Sequence, residues 1–139
     1  MKSHRFIAAC FLLLLVLPAT IADEKTGRVL DCRTADKNDL LSRIELPKES
    51  EVKNFSLNSV KKDKVGFELK ADWGGGVYHY EIQFNFRCKG NNFYLYRVKK
   101  VSFSTTNPDS GNFLDKKRVK VTKIEPNLPI DKFLMTRYL

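Results

Sequence analysis

Val77-Tyr78-His79-Tyr80-Glu81-Ile82-Gln83-Phe84-Asn85-Phe86-Arg87-Cys88 decides the fold. Tyr78, Tyr80, Ile82, Phe84, Phe86 and Cys88 fall on one parity. His79, Glu81, Gln83, Asn85 and Arg87 fall on the other. A period of two over twelve residues excludes a helix, whose apolar positions recur every three to four. It also argues against a parallel sheet covered on both faces, which reads as apolar throughout. The run is therefore a long antiparallel strand, ring-bearing side inward and polar side to water.

The neighbouring segments read the same way. Val65, Phe67, Leu69, Ala71 and Trp73 alternate with polar residues and Gly66, and Gly74-Gly75-Gly76 supplies a turn. Phe55 and Leu57 mark a shorter strand before them. After the turn Lys89-Gly90-Asn91-Asn92 comes a partner strand, Phe93 to Thr106, whose phase breaks. Tyr94, Tyr96 and Val98 share one parity, Val101 and Phe103 the other. A bulge near Lys99-Lys100 would keep both sets inward; a single phase would turn Arg97 and Lys99 inward. Val119, Val121 and Ile124 form a last strand, with Arg118 and Lys120 facing out, and Pro126 and Pro129 break the chain. Asp36 or Asn38 caps a short helix running to Leu46 and stopped by Pro47. Phe133, Leu134, Met135 and Tyr138 belong to a terminal helical piece that covers an open end of the sheet. The expected fold is mainly β: a curled antiparallel sheet or small open barrel with short flanking helical segments.

Residues 1–22 have the layout of a secretory signal. Lys2 and Arg5 precede an apolar run from Phe6 to Leu17, and small residues reach Ala22 before Asp23-Glu24-Lys25 turns polar. The run is too short to span a bilayer. Ile7-Ala8-Ala9-Cys10 looks like a lipidation box but lies at the start of the apolar run rather than after it. The expectation is a periplasmic or secreted protein with a single β-rich domain over 23–139 and no transmembrane segment. Of three cysteines, Cys10 leaves with the signal. Cys32 and Cys88 then form one disulfide in an oxidising compartment, two free thiols being the other reading.

The chain is basic, with 25 Lys and Arg against 16 Asp and Glu and a formal net charge of +9. Export directs that charge toward an acidic protein partner or an anionic cell-envelope polymer rather than nucleic acid. The chemistry-bearing residues are few. His79 is the only histidine beyond the signal, which leaves no triad or metal set, so no cofactor is expected. Glu68, Asp72 and Glu81 are the one carboxylate group that a small hydrolase would use. Tyr78, Phe84 and Trp73 would line an apolar cavity if the protein were an envelope-associated ligand-binding module. The strongest candidate is a polar loop followed by a basic run. Asn107, Asp109, Ser110, Gly111 and Asn112 precede Lys116, Lys117, Arg118 and Lys120. Long loops in compact domains often carry function, and cations beside one speed encounter with an acidic partner.

In type the chain resembles the small exported β-domains of bacteria that bind and block an enzyme, such as periplasmic lysozyme inhibitors and immunity proteins. The features are the signal, the cysteine in Phe86-Arg87-Cys88-Lys89-Gly90, and Ser110-Gly111 in the loop. The membrane-lysozyme inhibitor family plugs its target with a Ser-Gly loop. Here Ser110-Gly111-Asn112-Phe113-Leu114 lacks that family's tyrosine. The resemblance implies a non-catalytic inhibitor or immunity protein acting through residues 107–120.

Overall fold

The alternating segments form a five-stranded antiparallel meander in the order β1-β2-β3-β4-β5, open at both edges and not closed into a barrel. The computed structural model describes residues 31–105 and 116–139. The expected signal segment 1–22, and Asn107, Asp109, Ser110, Gly111 and Asn112 of the expected binding loop, lie outside the described residues. The strands are β1 (Ser56–Lys62), β2 (Gly66–Gly75), β3 (Tyr78–Lys89), β4 (Asn92–Ser104) and β5 (Lys116–Pro129). A one-turn helix, α1 (Lys37–Leu41), precedes them, and two 3-10 turns, Ile130–Lys132 and Met135–Arg137, follow. No helix among the described residues is long and apolar enough to cross a membrane.

The sheet's main core lies on one face, with the pattern of β3 at its centre; on the other face Asn85, Val101 and Phe103 are also buried. Ile82, Phe84 and Phe86 are buried between Leu69 and Phe67 of β2 and Val98 and Leu95 of β4. The terminal segments cover this face. Leu40 and Ile44 close it from the N-terminal side, while Ile130, Phe133 and Met135 close it from the C-terminal side. Phe133 is a hub: its ring meets Phe84 at 5.1 Å and Phe86 at 5.2 Å edge-on, and stacks on Tyr138 at 5.7 Å. Edge-on pairs set the positive rim of one ring against the negative face of the next, adding to the apolar area they bury.

Cys32 and Cys88 are joined, with Cα atoms 5.6 Å apart, clamping the N-terminal segment to the end of β3. Lys62 holds the same segment from β1, its Nζ donating to the carbonyls of Ala35 at 2.9 Å and Arg33 at 3.2 Å. Asp36 caps α1 as expected. Its carboxylate accepts from the amides of Asn38 and Asp39, and Asp39 returns the bond to the Asp36 amide. The helix stops at Leu41 rather than Leu46: Ile44 still reaches the core beyond its end, but Leu46 is 42% exposed and adds no buried turn.

Three strand readings change. Val65 lies outside β2 and is 46% exposed, because Asp63 builds a tight turn there, accepting from the amides of Val65 and Gly66. The bulge in β4 is real but sits at Tyr96, where Asn85 pairs with Arg97 and Phe86 with Leu95. Without it, Arg97 and Lys99 would follow Phe93 and Leu95 into the core. The extra residue moves both cations to the outer face, and Val101 and Phe103 go with them. Tyr94 and Tyr96 therefore face outward too, the Arg87 guanidinium resting 4.9 Å from the Tyr96 ring. Finally, β5 does not end at Pro126: it runs through a cis Glu125-Pro126 bond to Pro129. An edge strand tolerates proline because one side of its backbone has no partner to lose.

Gly66 shows how tightly β2 and β3 approach. A methyl group there would overlap the carbonyl of Phe86. Gly66→Ala is expected to destabilise the protein by about 1–3 kcal/mol, the usual cost of overpacking, measured as a lower urea midpoint with an unchanged m-value.

Candidate functional site

The register of β5 decides what the basic run can do. Arg118 pairs with Ser102 and Lys120 with Lys100, on the same side of the sheet as Val98 and Tyr80. Lys117 pairs with Phe103, Val119 with Val101 and Val121 with Lys99, on the opposite side. This inverts the sequence expectation: Val119 and Val121 are the outward residues, 53% and 49% exposed. Arg118 and Lys120 lean over the inner face. The cause is the bulge at Tyr96, which shifts the phase of β4 and of the strand paired to it. The run Lys116, Lys117, Arg118, Lys120 is thus split, with Lys116, Arg118 and Lys120 on the inner side and Lys117 above the Phe103 ring at 5.8 Å on the outer side.

The inner side of β5 is not filled by core residues. The C-terminal turns cover β3 and β4 as far as Tyr138 and leave a cleft of about 730 Å³ beyond it. Its walls carry Lys100, Arg118, Lys120 and Arg137, with the hydroxyl-bearing Ser102, Thr122 and Tyr138 between them, and no carboxylate-bearing side chain. None of the four cations is ion-paired among the described residues. Burial and, after it, the charge of Lys120 hold the Lys100 ammonium below the ordinary lysine range. Four cations gathered in one cleft repel one another, so the cleft favours an anion.

A second hollow of about 750 Å³ adjoins the first, sharing Tyr80 and Leu139 with it. Trp73 and Tyr80 stack at 5.1 Å, and Tyr78 continues the ladder at 6.4 Å from Tyr80. Lys100 reaches across from the basic cleft, its Nζ 5.2 Å from the Trp73 ring and 5.4 Å from Tyr80. Tyr78, expected in the core, is 54% exposed. It lies at the start of β3, on the wall of the hollow it shares with Thr136 and Leu139. The two hollows form one trough, aromatic at the β2–β3 turn and basic along β5, at the end of the sheet away from the disulfide.

The other candidates fare differently. Glu68 pairs with Lys70 at 3.2 Å, and Asp72 accepts from Asn58 at 3.0 Å. Both sit on the outer face, where Asp72 is the cross-strand neighbour of Glu81. His79 is on that face too, its ring 5.9 Å from Phe103. Among the described residues no three His, Cys, Asp or Glu side chains converge as a metal-ligand set. Trp73 and Tyr78 line the open trough, whereas Phe84 is packed solid against Phe133 and Tyr138 rather than facing a cavity.

Sequence reasoning missed Lys100, Tyr80 and Arg137 as site residues. For Lys100 a signal existed: it stands two residues after the core residue Val98 and so shares its face. Arg137 gave none, because an irregular C-terminal turn has no period to read. Comparison with protein-family models, with curated proteins and with solved structures finds no match to this chain.

Proposed function

We propose that the protein is a non-catalytic exported binding protein, of the inhibitor or immunity type, that acts in the periplasm or outside the cell and blocks an acidic partner enzyme or toxin. The contact is made by the start of β5, through Lys116, Lys117, Arg118 and Lys120, together with the preceding segment containing Asn107, Asp109, Ser110, Gly111 and Asn112. The observation carrying this reading is that every residue of β5 from Lys116 to Lys123 is exposed, on an unpaired sheet edge, with its cations free of carboxylate partners among the described residues. Such an edge speeds encounter with an acidic surface and disfavours self-pairing through like-charge repulsion. The disulfide and the apolar N-terminal run support an oxidising, exported setting.

The test uses the product of a toxin or envelope-enzyme gene lying beside this one. Co-expression is expected to restore growth or suppress that activity. Replacing Lys116, Lys117, Arg118 and Lys120 together by glutamine is expected to weaken the complex about tenfold or more, chiefly in association rate, and to flatten its salt dependence. Unchanged affinity and salt slope in that variant would reject the site.

A further inference from the structure

The trough carries features that a protein-docking edge does not require: a stacked aromatic ladder opening directly into a cleft of unpaired cations. We infer that this trough binds an acidic oligosaccharide, a sugar ring lying on Tyr78 and its acid groups reaching Lys100, Arg118, Lys120 and Arg137. The inference goes beyond the partner-protein reading and shares only Arg118 and Lys120 with it.

Three observations select the ligand class. The basic half brings together four cationic side chains, an excess of positive charge that favours an anionic ligand. The aromatic half offers an exposed tyrosine with an apolar face and a polar rim, suited to the C–H face and hydroxyls of a sugar. The walls between them bear neutral hydroxyls, Ser102, Thr122 and Tyr138, with Thr136 across the shared rim. Nucleic acid is less well served. Tyr80 already stacks on Trp73 and carries the Lys100 ammonium near its ring, which leaves Tyr78 as a single ring face rather than the run of platforms on which successive bases stack. An acidic peptide would satisfy the cations but leave the tyrosine ladder without a purpose. The two hollows adjoin at Tyr80, so a ligand of a few sugar units can touch both. The aromatic half carries Glu51 and Lys53 together, so the excess of positive charge lies toward β5.

The chain's only tryptophan, Trp73, lies in the trough wall and reports on it by fluorescence. The probes are trigalacturonate, neutral maltotriose, a short oligothymidylate and a triglutamate peptide, each titrated into the full mature protein at low ionic strength. Trigalacturonate is expected to give a saturable change and the tightest binding of the four. Tyr78→Ala and Arg137→Gln change exposed side chains and leave the fold intact; each is expected to weaken trigalacturonate binding about fivefold or more. Lys123→Gln, on the outer face, is expected to stay within about twofold. Maltotriose, oligothymidylate or the peptide binding as tightly as trigalacturonate would overturn the inference. So would binding that ignores Tyr78→Ala and Arg137→Gln. Because neither variant touches Lys116 or Lys117, failure here leaves the partner-protein reading to its own test.

Discussion

Phe133→Ala is expected to lower the free energy of unfolding by about 3–5 kcal/mol, the range for deleting a buried phenylalanine. Phe133 is the central side chain of the C-terminal turns on the sheet, touching Phe84, Phe86 and Tyr138. Its removal leaves a void where three rings converge. It also loosens Ile130 and Met135, both nearly fully buried on either side of it. For a domain of marginal total stability this is a large fraction. Denaturant titration should show a much lower midpoint, and hydrogen exchange should accelerate first at Phe133, Arg137 and Tyr138, whose amides bond within the C-terminal turns. Leu134→Ala is the control: Leu134 is exposed, and its loss should cost little. Equal effects from the two would mean the C-terminal segment does not cap the sheet.

Removing the disulfide is the second large effect. Cys32 and Cys88 are 56 residues apart in sequence, and closing a loop of that size restricts the unfolded chain by about 4 kcal/mol on the chain-entropy estimate. The double variant Cys32→Ala, Cys88→Ala should therefore lose about 2–5 kcal/mol. The loss should appear mainly in the unfolded state, so the spectroscopic signature of the folded sheet should persist under native conditions. The N-terminal segment should still dock, because Leu40, Ile44 and the Lys62 ammonium hold it independently. A loss below about 1 kcal/mol would contradict the entropic account, since it falls well under the estimate for this loop length.

The central ribbon was legible in the sequence because its faces see contrasting environments. In β3, core on one side and water on the other stamp a period of two onto Ile82, Phe84 and Phe86. Its first residue, Tyr78, departs because whether a covering segment extends that far depends on the path of residues 130–139, which carries no periodic signal; Asn85 on the other side departs too, being buried. β4 was legible in needing a bulge but not in its place. Two positions satisfy the same sequence constraint of keeping Arg97 and Lys99 out of the core. The choice is set by pairing with Asn85 and Phe86, a tertiary fact. The error propagated to β5, where Val119 and Val121 alternate with Arg118 and Lys120 whichever way the strand faces. At an edge strand with little packed against it, hydrophobicity no longer tells inside from outside, and the partner's register decides. The candidate site was therefore half visible: the basic run could be read along the chain, but its division between two faces, and the union of its inner half with Lys100, Tyr80 and Arg137, could not.

The account rests on the inner face of β5 being where the cations gather. Amide chemical-shift mapping with inorganic pyrophosphate as an anionic probe tests this directly, without knowledge of the natural partner. The predicted result is saturable shifts clustered at Lys100, Arg118, Lys120 and Arg137, with outer-face residues away from the cleft, such as Glu68, Asp72 and Arg87, unmoved. Shifts centred on the outer face, or spread evenly over surface lysines such as Lys37, Lys48 and Lys64, would contradict it.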